Sequence, residues 1–567
     1  MIGRVAVAIF VIVIATLTYP GALMTSLATR MSAPRASTSG PAGALPWLHV
    51  EHPSGQRPYI ADEQKRLVIL HGATPAGLIE FGPGTRPVYP VNPAAYEGGG
   101  CPANLDATVI RYPPICEADI KSMASLGFNL VRLPISWSEL EPERGQVDAI
   151  FLDRVAQIVD WARAASMYVL LDMHQNGFSH FVGPGPGVNP LQLSGAPRWA
   201  TMTDGMPSQV FGGNREINPA VFEATNNFWY DRDGIQDEYI AAFAQVVRRF
   251  KDDSVVAGFG IYNEPWIGWN LPPGFDDLLL FPFYRRVIDA VTGARDGLPC
   301  WSGFYMPAVC GYRDLGVGDR RHLMLVDTGL IREVTDFPSH LGLPVSSYPN
   351  VVLGLHAYTH TYTPDRLFLN QTPPNASYPW GGYDQGWDAA EKEAKAMDVA
   401  LFLEEFGTDP AFDDLVLKSQ LAEAERHRVG YAFWVWKENK QATQKPSEVW
   451  GVFDPPPTTS ESSGCIRPSR ERQLGSVYPR ESADPQARFH YDSLTGAFTL
   501  EASGRAGDPP TVVYISRENE GAVSTGGSAT ASVLADPDGS RLVSVSAEGG
   551  AFTVSVAPHE LALTACA

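Results

Sequence analysis

Two glutamates in this chain stand where apolar runs end. Glu264 closes "VAGFGIYNEP" (256–265) and Glu405 closes "VALFLEEFG" (399–407). A carboxylate at the end of a buried run is costly unless something holds it or uses it. Two of them facing one another across a sugar-sized gap could share one reaction. The first, protonated, would donate to a leaving oxygen; the second, ionised, would attack an anomeric carbon. Glu404 is the rival to Glu405, and period-two alternation along a strand points it to the opposite side.

Other polar residues close or interrupt similar runs. Arg132 lies in "FNLVRLP" (128–134), His174 ends "YVLLDMH" (168–174), and Asn263 precedes Glu264. His356 and Tyr358 end "NVVLGLHAY" (350–358), and Trp434 lies in "GYAFWVW" (430–436). Arg132 is a permanent cation that can keep Glu405 ionised, and the Tyr358 hydroxyl can donate to it. Asn263 can bond a sugar hydroxyl beside the reacting carbon, and Trp434 offers a flat face to a pyranose. Each residue also has a plainer explanation. Asn-Glu-Pro is ordinary turn punctuation, His174 and His356 could be satisfied core histidines, and Arg132 could be a structural ion-pair partner. What favours chemistry is that all of them fall at equivalent places.

Those places define the elements that must carry them. Eight short apolar runs, from "RLVILHG" (66–72) to "GYAFWVW" (430–436), alternate with amphipathic stretches such as "DRVAQIVDWARAAS" (153–166) and "DEYIAAFAQVVRRF" (237–250). Continuous apolar strands between such helices predict a parallel sheet covered on both faces. Eight units predict an α/β (β/α)8 TIM barrel, whose strand C-termini share one mouth. An open doubly wound sheet would carry a Gly-rich nucleotide loop after its first strand, and none is present. The barrel is expected over 47–453. "DPPPTTSESSG" (454–464) opens a linker expected over 454–475, and period-two runs from 476 to 567 predict a C-terminal antiparallel β-sandwich.

Bulk properties narrow the partners. A chain of 567 residues with 44% hydrophobic and 19% charged residues is long enough for a large core and a second module. A net charge of -20 argues against nucleic acid and against electrostatic docking on anionic lipid. A neutral substrate fits better, and a monomer that touches a membrane surface only transiently is expected. After Arg4 an uncharged run reaches the Ser26-Leu27-Ala28 triplet. Residues 1–46 therefore read as a secretory signal peptide or an uncleaved anchor plus linker, which places the protein outside the cell or in its envelope. The six cysteines agree with export, and sequence leaves all fifteen pairings open. No C-x-x-C spacing occurs, which argues against a zinc site, and no other metal or cofactor is expected.

"GFNLVRLPISW", "LDMHQ", "NEP", "HAY", "EFG" and "GYAFWVWK" together resemble glycoside hydrolase family 5, a retaining clan of (β/α)8 enzymes. "LLDMHQNGFSH", "NEPWIG" and the Tyr478-Pro479-Arg480 segment are similar to its endoglycoceramidase and glycosylceramidase branch. The resemblance implies Glu264 as acid/base, Glu405 as nucleophile, and Arg132, His174, Asn263, His356, Tyr358 and Trp434 as active-site residues. Two departures concern sugar recognition. The branch usually reads His-Gln-Asp where this chain has His174-Gln175-Asn176, and the family's first strand often ends in Gly-x-Asn where this chain has Gly72-Ala73-Thr74. The activity implied is hydrolysis between glycan and ceramide; another hydrophobic β-glucoside such as a steryl glucoside, or a β-glucan, is the alternative. A non-catalytic glycan-binding barrel would not need the glutamate pair. A lipid groove could be lined by Trp266, Trp269, Leu271, Phe275, Leu278, Leu279 and Phe281, which could equally be the buried face of the fourth helix.

Overall fold

The computed structural model describes residues 45–79, 91–102, 111–189, 192–294, 313–361, 382–439, 449–454, 465–536, 538–561 and 563. The N-terminal segment, Cys300, Cys310, Cys566 and the glycosylation-type triplets Asn370-Gln371-Thr372 and Asn375-Ala376-Ser377 lie outside them. Eight parallel strands close a barrel. They are β1 (His71–Ala73), β2 (Leu130–Ser136), β3 (Tyr168–His174), β4 (Val256–Gly260), β5 (Leu323–Asp327), β6 (Val351–His356), β7 (Ala400–Phe406) and β8 (Tyr431–Phe433). β8 returns to β1 through Tyr431↔His71 and Phe433↔Ala73. Every residue of these strands is buried, because helices cover the outside and side chains fill the inside.

The covering helices follow their sequence patterns. Ala149–Ala164 starts where the Asp148 carboxylate accepts from the Ile150 and Phe151 amides, and buries Phe151, Val155, Ile158, Val159 and Ala162 at spacings of three and four. Ile235–Phe250 buries Tyr239, Ala242, Phe243, Val246, Val247 and Phe250 in the same way.

The run "RLVILHG", expected as one barrel strand, is divided. His71–Ala73 enters the barrel, whereas Leu67–Val68 pairs with Tyr478–Ser482 of the C-terminal sheet. That sheet also recruits His49–Glu51 and Tyr59–Ala61. Its long strand Arg541–Val556 pairs with Thr511–Ile515 along its first part and Phe498–Gly504 along its last. Leu500, Val513, Ile515, Val545, Phe552 and Val554 then share one core with Leu67 and Ile69. His71 stacks between Tyr431 and Tyr478, with ring centroids 4.2 and 3.8 Å away. This stack joins the barrel floor to the sheet.

Part of the segment expected as linker is structured. Pro468–Leu474 is a helix, and its fully buried Arg470 donates to Asp413, to the Thr408 and Gly451 carbonyls and to that of Trp450. Polarity disguised this residue as solvent-facing, but five donors can satisfy several buried acceptors at once. Arg470→Met should therefore lower the unfolding free energy by about 3–5 kcal/mol, the cost of orphaning a buried charge partner. Urea unfolding would read this directly, and a loss under about 1 kcal/mol would mean that other contacts hold the segment. Cys101 and Cys116 form a disulfide with Cα atoms 5.3 Å apart. Among the described residues no helix is long and apolar enough to cross a membrane.

Candidate active site

The mouth of the barrel gathers the residues the sequence singles out. β4 stops at Gly260, and the chain turns so that Glu264 adopts a φ of 44°, a left-handed conformation uncommon for glutamate. Side chains hold that turn in place. The Gln175 amide donates to the carbonyls of Asn263 and Glu264, both at 2.8 Å, and Asp327 Oδ2 accepts the Glu264 amide at 3.1 Å.

Glu405 and Glu264 meet across the mouth, with one oxygen of each within 4.8 Å of the other. Their surroundings differ. Glu405 accepts from Arg132 Nη1 and, at 2.7 Å, from the Tyr358 hydroxyl. Glu264 faces the His356 imidazole, 3.2 Å from its Nδ1, and the Arg215 guanidinium at 3.9 Å. Burial raises the Glu264 carboxyl above the usual range, with Arg215 as the main counterweight. Burial also pushes His356 down to about 3, so it is neutral at working pH. One carboxyl is thus kept ready to hold a proton while the other is paired with a cation.

Arg132 is the hub. It lies within β2 rather than at its end, and is fully buried. Besides Glu405 it reaches Asn263 Oδ1 at 2.8 Å, Asp172 Oδ2 at 2.9 Å and Glu404 Oε1 at 3.4 Å. Asn263 is therefore oriented by Arg132 through its carbonyl oxygen, and it donates to the Gln175 carbonyl at 3.0 Å.

A second chain of hydrogen bonds fixes the sugar side. Arg215 donates to Asn176 Oδ1, Asn176 Nδ2 approaches His174 Nε2 at 3.0 Å, and His174 Nδ1 lies 2.9 Å from Asp172 Oδ2. The donor sense is consistent only if His174 is neutral with its proton on Nδ1. Asn176 explains itself here, because an aspartate at 176 could accept but not donate to that imidazole. Trp434 stacks on His174 at 5.2 Å with an interplanar angle of 5°. A sugar can therefore meet only its opposite face or its edge. The peptide that follows, Trp434–Val435, is cis.

Alternation fails at Glu404. The β7 register slips between Leu403 and Glu405, and such a bulge turns two consecutive side chains toward one side. Glu404 consequently lies inside the barrel, 1% exposed, against the same Arg132 as Glu405. Sequence reasoning also passed over Asp172, Gln175, Arg215 and Asp327. Asp172 was detectable, since it is two residues from His174 and shares its face, and Asp327 ends an apolar run as Glu264 does. Arg215 falls in an aperiodic Gly/Asn-rich loop and carries no such signal.

The expected lipid groove is divided. Phe275, Leu279 and Phe281 are core, Trp266 is partly buried, and Trp269, Leu271 and Leu278 are exposed. Exposed Phe337, Leu341 and Leu343 lie on the next loop. That loop docks on the helical segment Asp276–Leu280, which carries Leu278 and Leu279, through Ser339 to Asp276 and the Leu341 amide to Asp277.

A closed parallel barrel with paired glutamates, a buried arginine and neutral imidazoles at its mouth has the layout of a glycoside hydrolase. The chain belongs to glycosyl hydrolase family 5, the Cellulase family, whose model matches residues 96–440. Endoglycoceramidase I of Rhodococcus hoagii (strain 103S) is 26% identical over 449 residues, spanning 77% of this chain and 80% of its own. A crystal structure of an endogalactoceramidase superposes with a TM-score of 0.64 at 25% identity, covering 90% of this chain and 100% of that one. Endo-glycoceramidase II from Rhodococcus sp., in its complex with ganglioside GM3, shares the fold with a TM-score of 0.64 at 23% identity, covering 88% and 99%.

Proposed function

We propose that the protein is a retaining β-glycosidase that cleaves a glycolipid between its glycan and ceramide, with Glu264 as acid/base and Glu405 as nucleophile. The observation that carries this reading is the pair itself. One oxygen of each within 4.8 Å is compatible with the roughly 5–5.5 Å carboxyl separation of retaining enzymes, against roughly 6.5–9.5 Å in inverting ones. The unequal surroundings support the roles. Glu264, with its raised affinity for a proton, protonates the leaving oxygen. Glu405, paired with Arg132 and oriented by Tyr358, attacks the anomeric carbon to form a glycosyl-enzyme. Glu264, now ionised, then takes a proton from the water that releases the sugar.

The glycolipid half of the reading rests on similarity to endoglycoceramidases and on the apolar loops. Trp269 and Leu271 after β4 and Phe337, Leu341 and Leu343 after β5 present exposed apolar side chains on adjoining loops, which suits a lipid aglycone or the surface that holds it. Incubation with glycosphingolipids, steryl glucosides and cellodextrins tests it. Release of an intact oligosaccharide with ceramide supports it; turnover confined to steryl glucosides or cellodextrins overturns it. Combined Trp269→Ala and Leu271→Ala should reduce kcat/KM on vesicle-borne substrate about five- to tenfold, from lost apolar contact. A soluble aryl glycoside should be unaffected, and equal losses on both would exclude lipid contact at these residues. The same proposal has the enzyme exported by its N-terminal segment, and a mature N-terminus just after Ala28 would support cleavage.

A further inference from the structure

Beneath the two glutamates lies a buried carboxyl pair that the proposed reaction does not use. Glu404 Oε1 is 3.4 Å from Arg132 Nε, while Glu404 Oε2 is buried without a donor. Asp327 Oδ2 accepts the Glu264 amide at 3.1 Å and lies 3.4 Å from His356 Nε2. The two carboxyls converge beside Gly354. A Cβ there would sit 2.1 Å from Glu404 Oε2 and 2.5 Å from Asp327 Oδ1, so only glycine leaves them space.

Charge and donors decide which carboxyls around Arg132 are ionised. Burying Asp172, Asp327, Glu404 and Glu405 as anions against one guanidinium would cost far more than taking up protons. Asp172 has donors from Arg132 and His174, and Glu405 from Arg132 and Tyr358. Glu404 is the member with an empty oxygen, and a proton between it and Asp327 fills that vacancy.

We propose that Glu404 and Asp327 hold one proton between them and act as positioning residues, reserving Arg132 for Asp172 and Glu405 and anchoring the Glu264 amide. Burial pushes Glu404 up to about 7 against the pull of Arg132, and raises Asp327 well above the carboxylate range. The other groups facing the pair are Glu264, Glu333, His356 and Tyr284. The positioning role rests on the reading of Glu264 and Glu405 above, whereas the shared proton does not.

The folded state holds a proton here that the unfolded chain loses above the ordinary glutamate range, near 4.5. Stability from this group is therefore complete below that value and declines as pH rises through about 7. Above it, an ionised Glu404 is a third carboxylate on Arg132 beside Asp172 and Glu405 and competes for the guanidinium, and turnover should fall.

Glu404→Gln mimics the protonated form and tests both parts. Infrared difference spectra at pH 6 of wild type against Glu404→Gln, and against Asp327→Asn, should show loss of the same protonated-carboxyl C=O band. Glu404→Gln should keep kcat/KM at pH 6 within about threefold, and its alkaline limb should move to higher pH. Glu404→Ala should lose about tenfold or more in kcat. A carboxyl band untouched by either substitution overturns the shared proton, whether or not any substrate is turned over. An unmoved pH profile in Glu404→Gln, with only the melting temperature changed, overturns the positioning role.

Discussion

Glu405→Gln is expected to abolish turnover of every substrate, with kcat reduced about 10⁴–10⁶-fold, the scale on which loss of a nucleophile acts. The amide keeps the shape of the carboxyl, and its oxygen can accept from Arg132 while its NH2 donates to the Tyr358 hydroxyl oxygen, so the protein should remain folded. What it loses is the anion. No covalent glycosyl-enzyme can then form, and a good leaving group cannot compensate. Rapid-quench kinetics with an activated aryl glycoside would check this. A Glu405→Gln enzyme that still shows a burst of released phenol would move the nucleophile elsewhere.

Glu264→Ala should behave differently because its contribution depends on the leaving group. Protonation of the departing oxygen is worth about 10²–10⁴-fold, and a ceramide alkoxide needs all of it. A dinitrophenolate needs none. The variant should therefore form the glycosyl-enzyme from a dinitrophenyl glycoside at nearly the wild-type rate and then stall, since no base activates water. Azide, which needs no base, should restore turnover and give a glycosyl azide of retained configuration. The pH profile adds a signed test. Burial raises the Glu264 carboxyl, so wild-type kcat/KM should persist above the ordinary carboxylate range and fall as Glu264 loses its proton. The part of that limb due to Glu264 should vanish from the first step of Glu264→Ala, leaving only the fall that ionisation of Glu404 imposes. Equal loss on both substrates, with no azide effect, would remove Glu264 from the acid/base role.

The sequence made the barrel legible for a physical reason. Strands buried on both faces read as unbroken apolar runs, so a polar residue at their ends stands out, as at Glu264, His356 and Glu405. Joints were harder to see. Nothing in "RLVILHG" marks where the chain leaves the C-terminal sheet and enters the barrel, because Leu67 and Ile69 are as apolar as β1 requires. Arg470 was hidden by composition, since a charged residue near a Pro/Ser-rich stretch looks solvated until its acceptors are located. Glu404 was misplaced because alternation assumes regular pairing, and one register slip in β7 reverses it. The apolar stretch after β4 was ambiguous for a related reason. A helical stretch that is half core and half exposed has one composition and two fates, with Phe275 and Leu279 inside and Leu278 outside.

The neighbourhood of Arg132 also shows how one cation organises several carboxyls. Asp172 is lowered on balance: burial pushes it up, but Arg132 and the His174 hydrogen bond outweigh that. Glu264, Glu333 and Asp327 are raised, each by burial first. The site thus separates its acids into those that accept several donors and those that retain protons. Two of these groups, Glu404 and Glu405, are adjacent in sequence and share Arg132, which makes their discrimination the sharpest question about the active site.

Trapping the glycosyl-enzyme answers that question most directly. Incubation with a 2-deoxy-2-fluoro glycoside bearing an activated leaving group, followed by proteolysis and tandem mass spectrometry, identifies the residue that carries the sugar. A fluoroglycosyl ester on Glu405, absent from the Glu405→Gln protein, is the expected result. A label on Glu404 or Glu264, or inactivation without any covalent label, would contradict the proposed mechanism.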